Sequence, residues 1–157
     1  MQKRPITRIG YERLRQELAF LYRFVRPEVI DELYKARAFG YKANNLQYFA
    51  ARERQAFVEG RIEDLRRKLS LSEIVVGQQL ISSVVRFGAT VQVEDIDTGD
   101  RASYQLVGPF ESDAINGRIS IDSPMGRTLL GRQVGDEVTV YAPGGIRCFR
   151  IIVVGSA

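Results

Sequence analysis

Side chains able to drive chemistry are few in this chain, and their placement narrows what the chain can do. There is no histidine among the 157 residues, so the commonest general base and metal ligand is missing. The single cysteine, Cys148, lies in "IRCFRIIVV", a strand-like segment. With no imidazole to activate it, it reads as a buried core thiol. One cysteine also excludes an intrachain disulfide and a multi-cysteine zinc site. The glycines of "PGG" and "GDE" sit in turn contexts and lack the strand–loop–helix setting of a phosphate loop.

What remains is charge. From Leu33 to Arg52 there is no Asp or Glu, while Lys35, Arg37, Lys42 and Arg52 are all positive. The asymmetry extends to the whole chain: residues 1–79 hold 16 Lys/Arg and 10 Asp/Glu, a net +6, and residues 80–157 hold 7 and 9, a net −2. A basic half joined to a slightly acidic half points to different partners for each, nucleic acid being one candidate for the basic half.

These residues sit on two kinds of element. In the first half Thr7 is placed to cap a helix. Leu14, Leu18, Leu21 and Val25 follow at spacings of 4, 3 and 4, and the apolar seam continues through Val29 and Leu33 to Ala36. Pro27 interrupts that run and is expected to bend it, with Gly40 as its left-handed terminator. A second run starts near Asn44 or Asn45 and carries Leu46, Ala50, Phe57, Val58, Ile62, Leu65 and Leu69. Two such helices, each of ~30 residues and ~45 Å, pair most simply as an antiparallel coiled-coil hairpin. Its tip falls near residues 40–45. Phe39, Tyr41, Tyr48 and Phe49 gather around that tip, either to stiffen it or to stack on bases.

The second half changes period. "ATVQVEDI", "ASYQLVG", "GRISID", "DEVTVYA" and "IRCFRIIVV" are strand-like and are separated by Gly-, Pro- and Asp-rich turns. "SPMGRTLLG" supplies one short helix, with Ser123 as cap and Pro124 at its first position. The fold expected is α+β: a hairpin over 1–77, a linker at 78–83 and a small β domain over 84–157. No segment resembles a signal peptide or reaches the ~20 apolar residues of a membrane span, so a cytoplasmic chain with no membrane contact is expected.

Several local motifs carry a resemblance to a known family. "PITRIGYERLRQEL" (5–18), "RPEV" (26–29), "AR..G" (36–40), "N..Y.AA.E.Q" (45–55) and "EGRI..L...L" (59–69) occur in order, followed by "ISIDSPMGRTLLGRQVGDEVTVYAPGG". Together they resemble the GreA/GreB family of bacterial transcription elongation factors over nearly the whole chain. The resemblance implies an FKBP-like C-terminal domain that grips bacterial RNA polymerase at the rim of its secondary channel. It also implies a hairpin whose acidic tip helps the polymerase hold a second Mg²⁺ and cleave backtracked RNA. Divalent cations need hard anionic oxygens, so those acids matter.

Here the tip departs from the pattern. The window is "GYKANNLQY", and the family's Asp and Glu fall on Tyr41 and Asn44, with Gln47 in place of a further acid and Lys42 adding positive charge. Neutral carbonyls lack the charge that draws Mg²⁺ from water, and Lys42 repels it. No catalytic residue, metal ligand or cofactor is therefore expected, and the chain reads as a non-enzyme. The resemblance places Asp122, Ser123 and Pro124 at the polymerase contact, and Arg37, Lys42 and Arg52 where polymerase carboxylates or nascent RNA would be met. Arg suits either, since its planar fork bonds phosphate or carboxylate with two prongs.

The leading expectation is a monomeric, Gre-like regulator of RNA polymerase that does not stimulate cleavage. A working cleavage factor with a substitute ligand such as Glu53 is the nearest rival. A peptidyl-prolyl isomerase-like module, which needs an apolar proline pocket, and a free nucleic-acid-binding hairpin are rivals of other classes.

Overall fold

Thr7 begins the helical part of the chain as expected. Its Oγ1 accepts from the Gly10 N–H at 3.0 Å, satisfying one of the free donors at the start of helix α1 (Arg8–Phe20). The computed structural model describes residues 2–38, 45–76 and 83–155. Gly40, Tyr41, Lys42, Asn44 and nearly all of the expected linker lie outside the described residues.

The helix does not simply bend at Pro27. Leu21–Val25 form a π-helical turn, closed by the Arg26 N–H donating to the Leu21 carbonyl five residues back, and α2 (Arg26–Arg37) follows with proline in its first turn. Proline has no N–H for the Arg23 carbonyl, and its ring displaces that carbonyl; a wider turn absorbs both defects. The seam spacing fits the same account. Leu21, Val25, Val29 and Leu33 follow in three successive steps of four. A heptad repeat alternates four and three, so this stretch holds one residue too many, which the π turn takes up.

Helix α3 (Leu46–Leu71) pairs with α2. Val29, Val58 and Ile62 form one buried cluster, with Leu18, Leu21 and Val25 packed on it; Leu33, Ala36, Tyr48 and Ala51 form a second. Near the tip this differs from the expected seam: Leu46 and Phe57 are 78% and 74% exposed, and Tyr48 and Ala51 are buried instead. Tyr48, Ala51, Val58, Ile62 and Leu65 keep heptad spacing, whereas Leu46, Ala50 and Phe57 lie off that stripe. Ion pairs join the helices on both flanks of the seam: Arg26 to Glu59 at 2.6 Å, Arg54 to Glu32, and Arg61 to both oxygens of Glu17 at 2.8 and 3.0 Å.

The remaining strands are β1 (Arg4–Ile6), β2 (Ser72–Ile74), β3 (Thr90–Asp95), β4 (Arg101–Val107), β5 (Arg118–Ser120), β6 (Glu137–Ala142) and β7 (Gly145–Gly155), with helix α4 (Pro124–Leu129) between β5 and β6. The main sheet runs β5-β4-β3-β7-β6. It is antiparallel except for the parallel β4–β5 pair, and β7 is bulged opposite Gln92/Val93. Alternation puts Val91, Val93, Leu106, Val138, Val140, Phe149 and Ile151 on one face, where Leu129 of α4 closes the core. The five strands and the short helix are those the period-2 segments called for.

The parallel pair β1–β2 was not foreseen. The structure forms two compact units, Met1–Gly10 with Ser72–Ala157, and Tyr11–Leu71. The first ten residues, assigned to the hairpin on sequence, thus belong with the β domain. Glu111 holds them there: its carboxylate accepts from the Thr7 N–H at 2.7 Å, the Thr7 hydroxyl and the Gly108 N–H at 3.1 Å. Gly108 is required for the close approach, because a Cβ there would lie 1.8 Å from the Pro5 carbonyl oxygen.

Candidate functional site

Each unit carries one group of the residues singled out above. In the β unit, the chain leaves β5 at Ser120 and enters α4 at Pro124. Ser123 is occupied in building that corner. Its Oγ accepts from the Gly126 N–H at 3.1 Å and donates to the Ser120 carbonyl at 2.5 Å. The Asp122 N–H donates to Ser120 Oγ at 3.0 Å. Gly126 is fixed by the same corner, since a Cβ would come within 2.0 Å of the Ser120 carbonyl oxygen. Asp122 and Pro124 are exposed and Ser123 half-buried. The loop is therefore a rigid platform that presents a carboxylate and a proline ring, with its serine spent on the cap.

Asp122 does not stand alone. Arg4 Nη1 lies 3.6 Å from its Oδ2, both side chains being about half exposed. Sequence reasoning missed Arg4, because its pairing with Asp122 depends on β1 docking with the β unit, and no local pattern announces that.

On the hairpin, Asn45 organises the end nearest the tip. Its Oδ1 accepts from the Tyr48 N–H at 3.1 Å, capping α3, while its Nδ2 donates to the Ala36 carbonyl at 3.1 Å near the end of α2. One side chain thus ties both helices together. Tyr48 is buried and meets the ring of Phe49 edge-on at 5.7 Å. This favours the stiffening role for these two aromatics; Phe39 and Tyr41 lie outside the described residues.

Arg37 and Arg52 are both exposed. Eleven residues separate Arg26 from Arg37, and seven separate Arg52 from Glu59, each close to a whole number of helical turns. Arg26 and Glu59 meet across the seam, so Arg37 and Arg52 lie along that same flank. Among the described residues neither has a carboxylate partner; Arg52 Nη1 is 3.5 Å from the Tyr48 hydroxyl. Lys35, by contrast, is paired with Asp31 at 2.9 Å, which raises its pKa through that hydrogen bond and the charge behind it. Arg37 and Arg52 therefore offer guanidinium groups on one flank that have no carboxylate partner among the described residues. Tyr41, Lys42 and Asn44 lie outside the described residues. Among the described residues no three His, Cys, Asp or Glu side chains converge as a metal site would require.

The order of motifs that places these residues is matched across the chain by two family models. "Transcription elongation factor, N-terminal" covers residues 4–74, and "Transcription elongation factor, GreA/GreB, C-term" covers residues 80–156. The chain belongs to the GreA/GreB family of transcription elongation factors.

Curated relatives agree with that membership. Transcription elongation factor GreA of Syntrophus aciditrophicus is 43% identical over 152 residues, covering 97% of this chain and 94% of the relative. GreA of Methylococcus capsulatus is 44% identical over 155 residues, covering 98% of each. Among solved structures, GreA factor homolog 1 (Gfh1) of Thermus thermophilus is 32% identical, with 98% of this chain and 99% of that one covered and a TM-score of 0.45.

Proposed function

We propose that this Gre-family factor binds bacterial RNA polymerase at the secondary channel and regulates elongation without stimulating transcript cleavage. It acts by occupancy rather than as an enzyme. The observation that carries the reading is the tip sequence: Tyr41 and Asn44 stand where the family's motif has Asp and Glu, inside a window free of acids from Leu33 to Arg52. Without an anionic oxygen there, the tip supplies no charged ligand to a divalent cation. Arg37 and Arg52, exposed and without a carboxylate partner among the described residues, support a tip region drawn instead to the polymerase's acidic centre or to nascent RNA. The exposed Asp122 and Pro124 support the polymerase contact in the β unit. The factor is taken to work in the cytoplasm as a monomer; among the described residues no helix is long and apolar enough to cross a membrane.

The test is transcript cleavage in a backtracked polymerase complex, with this protein alone and in competition with an active Gre factor. The expected result is no cleavage alone and a dose-dependent loss of the active factor's cleavage. Cleavage by this protein alone sinks the proposal and favours the second reading, an active factor with a substitute ligand. Glu53 is the acid to examine in that case, being exposed and without an ion pair among the described residues. It follows position 44 by nine residues in the sequence, a long reach for a metal ligand.

A further inference from the structure

Arg26 follows the seam residue Val25 by one position, whereas Glu17 and Glu32 precede the seam residues Leu18 and Leu33 by one. One residue turns a helix by about 100°, so the pairs Glu17–Arg61 and Glu32–Arg54 run along the flank opposite Arg26 and Glu59. Between those two pairs this flank carries phenylalanine. Phe20 and Phe24 lie between Glu17 and Glu32 on one arm, and Phe57 lies between Arg54 and Arg61 on α3, at spacings of three or four that keep each set in one row. The three residues are 57%, 65% and 74% exposed, and the rings of Phe20 and Phe24 pack with their centroids 5.7 Å apart. Phenylalanines gathered on one flank, rather than scattered singly, mark a face suited to a partner.

The charges around this patch say what covers it. On one arm the phenylalanines sit in an acidic row, with Glu17, Glu28 and Glu32; on α3 the row is basic, with Arg54 and Arg61. The flank is therefore complementary to itself. A second copy laid flank to flank, with a two-fold axis running along the hairpin, sets the acidic row of each copy against the basic row of the other. Glu17 then faces the second copy's Arg61, Glu32 faces its Arg54, and Phe20 and Phe24 face its Phe57. These are the levels that the same residues already share within one chain, as its own ion pairs show. An axis across the hairpin would instead bring Glu17 toward the second copy's Glu32, like against like. The opposite flank cannot pair with itself in the first manner either, because there Arg37 would face the second copy's Arg52.

We propose that the phenylalanine flank of the hairpin is a self-association surface, through which two copies pair side by side and parallel. Phe20, Phe24 and Phe57 form its apolar centre, and each bracketing charge gains a second, opposite neighbour in the other copy. A phenylalanine presents roughly 200 Å², so the three, each more than half exposed, supply about 400 Å² per copy. That is half of the ~800 Å² per partner of a standard interface, and the charged rim supplies the rest. The pairing is accordingly weak, with a Kd on the order of tens of micromolar. The chain is then a monomer when dilute, and the pairing stands whether or not the chain binds polymerase.

The experiment is sedimentation equilibrium of the full chain from about 1 µM to about 500 µM, a range that spans such a constant. Wild type is expected to pass from monomer to dimer across it. Phe57→Glu changes an exposed position, is to keep the wild-type melting temperature, and is expected to weaken pairing by about tenfold or more. Phe20→Ser with Phe24→Ser is the second variant and is expected to do the same. Two charge variants read the arrangement. Arg54→Glu alone sets a carboxylate against the second copy's Glu32, and Glu32→Arg alone sets a guanidinium against its Arg54, so each is expected to weaken pairing. An equimolar mixture of these two variants restores opposite charges at both contacts between copies, and is expected to pair more tightly than either variant by itself.

A wild-type chain that stays monomeric throughout the range overturns the proposal. A dimer that both phenylalanine variants leave intact is built on another surface, with the same consequence. A mixture that pairs no better than its components overturns the parallel arrangement, and with it the charge match on which the proposal stands. A monomeric wild type whose affinity for core RNA polymerase falls with Phe57→Glu assigns the flank to the polymerase instead of a second copy, and also overturns it.

Discussion

Asn45 has an outsized role for one side chain. It caps α3 and bonds the Ala36 carbonyl in α2, so Asn45→Ala removes a cap and an interhelix bond together. The expected loss is about 1–2 kcal/mol, read as a lower melting temperature with faster amide exchange at Tyr48. Immediately upstream of that anchor lies the stretch on which the proposed lack of cleavage rests. If the missing carboxylates underlie the proposed lack of cleavage stimulation, Tyr41→Asp with Asn44→Glu restores them. The double variant is expected to gain Mg²⁺-dependent cleavage in a backtracked complex, and its failure to do so would show that more than the acids has changed. This scale was the most legible in the sequence, because caps and charge absences are local: Thr7, Ser123 and Asn45 can be read directly from the residues that follow them. Arg4 and Glu111 were invisible for the opposite reason. The pairs Arg4–Asp122 and Glu111–Thr7 are assembled by a strand docking from far along the chain.

At the level of elements, the π turn is a consequence of counting. The seam from Leu14 to Ala36 holds one residue more than a heptad repeat, and Leu21–Val25 absorb it beside Pro27. Deleting the exposed Arg23 therefore removes the surplus, shortening the step from Leu21 to Val25 to three. Deleting the exposed Glu63 in α3 instead rotates everything beyond it by about 100° and breaks a seam already in register. Thermal melts are expected to show a cooperative transition within a few degrees of wild type for the Arg23 deletion, and a large loss for the Glu63 deletion. Equal losses would mean that the π turn is fixed by something other than spacing. The run of three four-residue steps was present in the sequence; read as a plain helical seam with a proline bend, it concealed the turn. The strands were easier. Period-2 alternation between glycine turns has few competing explanations, while β1 and β2, three residues each, are too short to show a period.

For the whole molecule, charge governs the response to acid. Asp64 is held below the usual aspartate range, first by its hydrogen bond from Lys68 at 3.0 Å and then by Arg67 at 2.9 Å. Asp113 is held low by the Asn116 side-chain amide, and also by the Asn116 backbone and the charge of Arg118. A carboxylate whose folded-state pKa is depressed stabilises the fold when ionised. Its contribution is complete above the unfolded value of about 4 and is lost as pH falls through the lower folded value. Melting temperature is expected to hold near neutral pH and to fall only below about pH 4, where these carboxylates begin to take protons. Asp64→Asn should reduce the steepness of that fall by a modest amount, because the cluster is partly solvated.

One feature of the sheet has a consequence for how the molecule is made. Strand β7 lies between β3 and β6 and pairs with both, yet it follows all the other described strands in chain order and so leaves the ribosome after them. Until it emerges, β6 has no strand partner in the sheet, and the face carrying Val91, Val93 and Val138 belongs to no complete sheet. The helices from Tyr11 to Leu71 draw their pairing from residues already translated. They are free to form first, while β1 waits for a β domain that still lacks the inner strand β7.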